Sequence, residues 1–97
     1  MKHYSGQRTI DGLVVTVDGE PLDPRFDLET YDDKGFEWSY EGSAPRQLAF
    51  AILADHLPDA AQARSKVEGF MIEVVAGLDN GWTLSTTEIN AALAKLD

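Results

Sequence analysis

Residues 48–54 read Leu-Ala-Phe-Ala-Ile-Leu-Ala, seven apolar side chains in succession. An amphipathic surface helix shows polar residues every third or fourth position, and this run shows none before Asp55. It is too short for the ~20 residues that cross a bilayer. The run therefore predicts a helix buried on nearly all sides, with the remainder of the chain wrapped around it. A chain of 97 residues supplies one such core and one domain.

Local signals bound this helix. Ser43 stands as its expected N-cap, and Pro45 falls in the first turn, where backbone donors are unpaired anyway. Pro58 forbids continuation beyond about Leu57. Asp59, with Gln62 three positions on, opens a second helix. Its apolar face is Ala63, Val67, Phe70, Met71, Val74, Val75 and Leu78, and Gly77 is placed to end it in the left-handed conformation. So short a connection predicts that the two helices lie antiparallel. Ser85-Thr86-Thr87-Glu88 is a capping box for a third helix with Ile89, Leu93 and Leu96 buried.

Strand signals lie on either side. Asp11-Gly12 predicts a type I′ hairpin pairing Ile10 with Leu13, Arg8 with Val15 and Gly6 with Val17. One face carries Ile10, Leu13, Val15 and Val17, with Tyr4 near its edge. Ser5, Gln7, Thr9, Val14 and Thr16 take the other, as a sheet covered on one side requires. Phe36, Trp38 and Tyr40 alternate with Glu37, Ser39 and Glu41, predicting a strand with an aromatic face. Trp82-Thr83-Leu84 predicts a short late strand. The expected fold is α+β: a small antiparallel sheet packed on one face by three helices, in the order β-β-loop-β-α-α-β-α.

Residues 20–35 have no sustained period, and Pro21 and Pro24 deny them a regular strand interior. They are longer than a usual connection, which makes them a candidate functional loop. Here composition matters. The net charge is −9 and the isoelectric point about 4.4. Asp18, Glu20, Asp23, Asp27, Glu29, Asp32, Asp33, Glu37 and Glu41 face only Arg25 and Lys34, so residues 18–41 carry −7 of that total. Such a field opposes phosphate backbones and favours basic partners. The competing reading is that these acids only keep a small protein soluble and monomeric.

A resemblance emerges at Gly35-Phe36-x-Trp38-x-Tyr40-x-Gly42-Ser43-x-Pro45-x-Gln47-Leu48-Ala49-x-Ala51-Ile52-Leu53-Ala54-Asp55. It extends to Trp82-x-Leu84-Ser85-x-x-Glu88-Ile89 and loosely to Val17-Asp18-Gly19-x-Pro21-Leu22. Over about two thirds of its length the chain resembles a small, uncharacterised prokaryotic and phage family known only as a domain of unknown function. Ser39 and Ala44 stand where the resemblance leads one to expect glycine. It implies no activity and no catalytic residues.

Chemistry is judged from the residues. There is no cysteine, so disulfides and thiolate chemistry are excluded. His3 and His56 are too few and too far apart for a histidine metal site, and His56 suits a helix C-terminus. Asp32, Gly35 and Glu41 match three places of a calcium loop, but Thr30 and Lys34 occupy two ligand places, so that reading fails. A looser ion site in residues 27–33 stays open. Ser43 and His56 lie at opposite ends of one helix, about 20 Å apart at 1.5 Å per residue, which rules out a nucleophile–base pair. The loop before the helix lacks the glycines and lysine of a phosphate-binding Walker loop. Trp38 and Trp82 have no basic groove beside them, so they belong to the core.

Neither a catalytic residue nor a cofactor nor a metal is therefore assigned. The N-terminal residues lack an apolar signal region, so cytoplasm is the default compartment. The leading expectation is a non-enzymatic module whose nine carboxylates between Asp18 and Glu41 meet a basic protein surface or nucleoprotein complex, with no membrane and no direct nucleic-acid contact. Its sharpest form is mimicry of nucleic acid, since clustered carboxylates can occupy cationic sites built for phosphates. With the phage resemblance, that suits an inhibitor of a host defence complex of the anti-CRISPR kind. The alternative is a small-molecule or anion site at the first helix's N-terminus, using Ser43 and Arg46.

Overall fold

The structure, a computed structural model, describes residues 2–96. The chain runs β1 (His3–Thr9), β2 (Gly12–Val17), β3 (Glu20–Pro21), α1 (Ser43–His56), α2 (Ala60–Glu73), a 3-10 turn at Val75–Gly77, β4 (Gly81–Ser85) and α3 (Thr86–Leu96). The strands form one antiparallel sheet in the order β3-β2-β1-β4. Tyr4, Gly6, Val15, Trp82 and Leu84 are buried, while Gln7, Val14 and Thr83 face water. The fold is α+β, as the sequence predicts, with different strand details.

The hairpin forms two residues out of the expected register. Arg8 pairs with Leu13, Gly6 with Val15 and Tyr4 with Val17. A slip of two preserves every face, because side chains alternate with period two. It moves Ile10 from the apolar face to the turn, where it is fully exposed. The cause is the turn type. Type I′ needs positive φ at both central residues, and here the left-handed residue is Gly12, at φ +117, with neither Ile10 nor Asp11 positive. That is the pattern of a turn closed by a glycine bulge. Thr9 secures it: its Oγ1 donates to Gly12 O at 2.8 Å and accepts from Asp11 N at 3.2 Å.

The aromatic segment is not a strand. Trp38 is buried and Phe36 half-buried, but Tyr40 is 50% exposed. Ser39 adopts φ +78, a left-handed conformation that breaks strand geometry and explains the glycine expected there. Its N–H donates to Val75 O at 3.1 Å and its hydroxyl to Leu78 O. The segment thus ties to the 3-10 turn, and it is β4 that pairs with β1 on the side away from β2.

Every residue of α1 from Leu48 to Leu53 is fully buried. Each of its large apolar side chains contributes about 1.5–3 kcal/mol by leaving water. The N-cap is Gly42 rather than Ser43, with no side-chain capping bond. At the other end Leu57 is extended, as a residue before proline must be. Asp59 caps α2, accepting from Ala61 N at 2.9 Å. This helix stops at Glu73, earlier than the apolar pattern suggests; Val74 caps it, and the chain tightens into the 3-10 turn whose Val75 O accepts from Ser39 N. Gly77 closes the following 3-10 turn without a positive φ. The capping box of α3 forms as predicted, with Glu88 N on Ser85 Oγ at 3.1 Å and Ser85 N on Glu88 Oε1 at 3.0 Å.

Candidate functional site

The acidic loop has almost no secondary structure of its own, yet it is held in place. Gln47 lies one turn into α1 and is completely buried. Its Oε1 accepts from Tyr31 N at 2.6 Å and Asp32 N at 3.1 Å. Its Nε2 donates to Pro24 O at 2.8 Å and Glu29 O at 3.1 Å. The amide thus uses its full capacity of two donors and two acceptor lone pairs on loop backbone. From α2, Arg64 reaches Glu29 Oε1 and Leu28 O, each at 3.1 Å. Leu22 is buried below, and the Tyr31 ring packs on Phe50 with centroids 5.8 Å apart.

The nine carboxylates fall into two sets. Glu20, Asp33 and Glu41 are exposed, like Asp18, Asp23 and Asp27, but their carboxylates have no bonding partner among the described residues. The other six work locally. Asp18 accepts from His3 N, Asp23 from Arg25 N, and Glu37 from Trp38 N. Arg25 grips Asp27 through two nitrogens at 3.1 and 3.2 Å. That grip holds the Asp27 carboxyl below its usual range. Asp32 accepts from Lys34 N at 2.8 Å and Ser43 Oγ at 2.9 Å, which lower its pKa in that order. Arg8 meets Glu37 at 2.7 Å, and Arg64 meets Glu29. Arginines from β1 and α2 thus partly neutralise the acidic segment.

A cleft of about 320 Å³ opens beside this loop, lined by Val17, Pro21, Leu22, Asp23, Arg25, Asp27 and Asp55. Asp55 was not among the expected partner-binding residues, because it lies on α1, far along the chain. It accepts from the Tyr4 hydroxyl at 2.6 Å and from Lys2 Nζ at 3.0 Å. Burial, then the hydrogen bond to Asp55, drives the Tyr4 hydroxyl far above its ordinary pKa.

The two residues of the anion alternative are already engaged. Ser43 donates to the Asp32 carboxylate, so negative charge stands at the start of α1. Arg46 turns to α2 and grips Glu68 at 2.7 and 3.0 Å. Ser43 and Arg46 therefore do not converge on an open site, because each has a carboxylate partner that sequence distance concealed. His56 Nε2 meets Asn90 Oδ1 at 2.7 Å. No three His, Asp or Glu side chains among the described residues converge as metal ligands. Trp38 and Trp82 meet edge to face, with centroids 5.7 Å apart, and Arg8 covers the Trp38 ring at 4.7 Å. Both tryptophans are buried core residues.

These features define a small α+β domain with a locked, acidic loop on one side of a buried helix. The chain belongs to a family of unknown function, DUF6166, whose model matches residues 4–95. No curated protein and no solved structure matches it. No helix among the described residues is long and apolar enough to cross a membrane.

Proposed function

We propose that this protein is a non-enzymatic binding module whose acidic loop, together with Asp55, docks on a basic protein surface or nucleoprotein complex. The observation carrying this reading is the fourfold engagement of Gln47 with the loop backbone. Ordering a free loop costs about 1–2 kcal/mol per residue, and a loop held beforehand spares that cost at binding. Asp27 and Asp32, with lowered pKa values, stay ionised throughout the neutral range. Phe26 and Tyr40, 42% and 50% exposed, add aromatic anchors to a charged surface, the residue type that dominates interface energetics.

In its finer form the partner is a protein that normally binds nucleic acid, and the carboxylates stand in for phosphates. Inhibition of a host defence complex, of the anti-CRISPR kind, is the role this mimicry suits. The test is affinity capture from a host lysate at low and high salt, with duplex DNA as competitor. Glu20, Asp33 and Glu41 are changed together to lysine, since none of them supports the loop internally. The expected result is a basic partner displaced by salt and by DNA, and lost from the triple variant. Capture that survives the charge reversal overturns the proposal.

A further inference from the structure

The turn before β4 carries Asn80-Gly81, in which a side-chain amide is followed by the residue offering its backbone nitrogen least hindrance. Asn80 and Gly81 are both exposed and border an open cleft of about 570 Å³ between Ser39 and residues 76–81. Two bonds set the phase of the sheet ladder: Asp18 N donates to His3 O, and Thr86 N donates to Lys2 O. Bonded and non-bonded pairs alternate in an antiparallel ladder, so β1 bonds to β4 through its even-numbered residues. Gly81 stands opposite Gln7, a non-bonded pair, and its N–H points away from β1. On the other side of the reacting pair, Arg8 Nε donates to Asn80 Oδ1 at 3.2 Å.

We propose that Asn80-Gly81 is a self-modification site, at which the Gly81 nitrogen closes on the Asn80 side chain and Arg8 stabilises the oxygen that gains charge. The Gly81 nitrogen loses its proton to solvent base and bonds to Asn80 Cγ, and negative charge collects on Oδ1, against the Arg8 guanidinium. Collapse breaks the Cγ–Nδ2 bond, and Nδ2 takes a proton and departs as ammonia. The resulting succinimide adds water at either carbonyl. Opening at Cγ leaves aspartate; opening at the main-chain carbonyl leaves isoaspartate, with one extra backbone carbon just ahead of β4. Both products place a new carboxylate beside Arg8, which already holds Glu37 at 2.7 Å.

The test incubates the full chain in oxygen-labelled water at mildly alkaline pH and maps peptides by mass spectrometry. Asn90, the only other asparagine, lies inside α3 and serves as the internal comparison. Labelled aspartate and isoaspartate are expected at position 80 while Asn90 stays intact. Gly81→Ala is expected to slow conversion on the order of tenfold by hindering the approach. The variant should fold, since an added Cβ meets only Gly6 O, at 4.0 Å. Arg8→Lys is expected to slow it several-fold, with folding checked by circular dichroism. Conversion at Asn80 no faster than at Asn90, or unchanged in Gly81→Ala, overturns the site. An unchanged rate in Arg8→Lys overturns the role of Arg8.

Discussion

Gln47 Nε2 donates to the carbonyl oxygen of Pro24 at 2.8 Å, joining residues 23 positions apart. This contact and its three companions do for residues 24–32 what a ladder does for a strand, pairing backbone groups that would otherwise meet a buried helix unsatisfied. A glutamine buried one turn into an apolar helix is costly unless all its groups are paired, and here they are.

Gln47→Leu removes both donors and acceptors at once and strands four loop groups. At about 1 kcal/mol per neutral bond, a loss of about 3–5 kcal/mol is expected. Urea unfolding measures the loss. Hydrogen exchange should show the Tyr31 and Asp32 amides losing protection before the amides of α1. Equal protection in the variant would refute the account of the loop.

Tyr4 supplies a pH dependence. Its hydroxyl pKa is raised in the folded state above the ordinary 10.0 by burial and by Asp55. A raised folded value means stability fully present below pH 10.0, falling as pH climbs from there toward the folded value. Alkaline unfolding followed by circular dichroism should therefore begin above that point. Tyr4→Phe should be less stable at neutral pH by about 1.5–3 kcal/mol for the lost bond to a carboxylate, with a shallower alkaline decline. A decline of unchanged slope would remove Tyr4 as its cause.

Ser39 combines strain with a bond. Its left-handed φ favours glycine, whereas its hydroxyl holds Leu78 O. Ser39→Ala keeps the strain and loses the bond, so a cost of about 1 kcal/mol is expected. Ser39→Gly loses the bond but relieves about 1 kcal/mol of strain, and should come out near neutral. Thermal melts of the pair decide it; alanine outperforming glycine would contradict the reading.

Gly6 lies against the Trp82 indole, and an added Cβ would come within 2.5 Å of it. Gly6→Ala should cost about 1–3 kcal/mol through overpacking. The indole must shift off Trp38, so tryptophan fluorescence should change in the folded state. An unaltered spectrum and melt would show that the contact is slack.

Much of the architecture was legible because its causes are local. Seven apolar residues in a row make a buried helix wherever they occur, and Ser85 and Glu88 cap each other across three positions. The faces of the hairpin survived a slip in register, because alternation is a property of the strand and not of its partner. The resemblance to a family of unknown function agrees with the family model that matches residues 4–95.

Other features depended on which distant groups meet, and there tertiary structure decided. Phe36, Trp38 and Tyr40 alternate like a strand, but Val75 O and Leu78 O claimed Ser39 and bent the segment away from the sheet. Arg46 and Ser43 look available at a helix start until Glu68 and Asp32 arrive from other elements. Nothing within a few residues of Gln47 announces that it will satisfy four loop groups, since its partners lie 15 to 23 positions away. The sequence by itself determined the buried helix, the caps and the acidic composition of the loop. The tertiary structure determined what holds that loop, because a hydrogen bond needs both partners in place and only the folded chain brings them together.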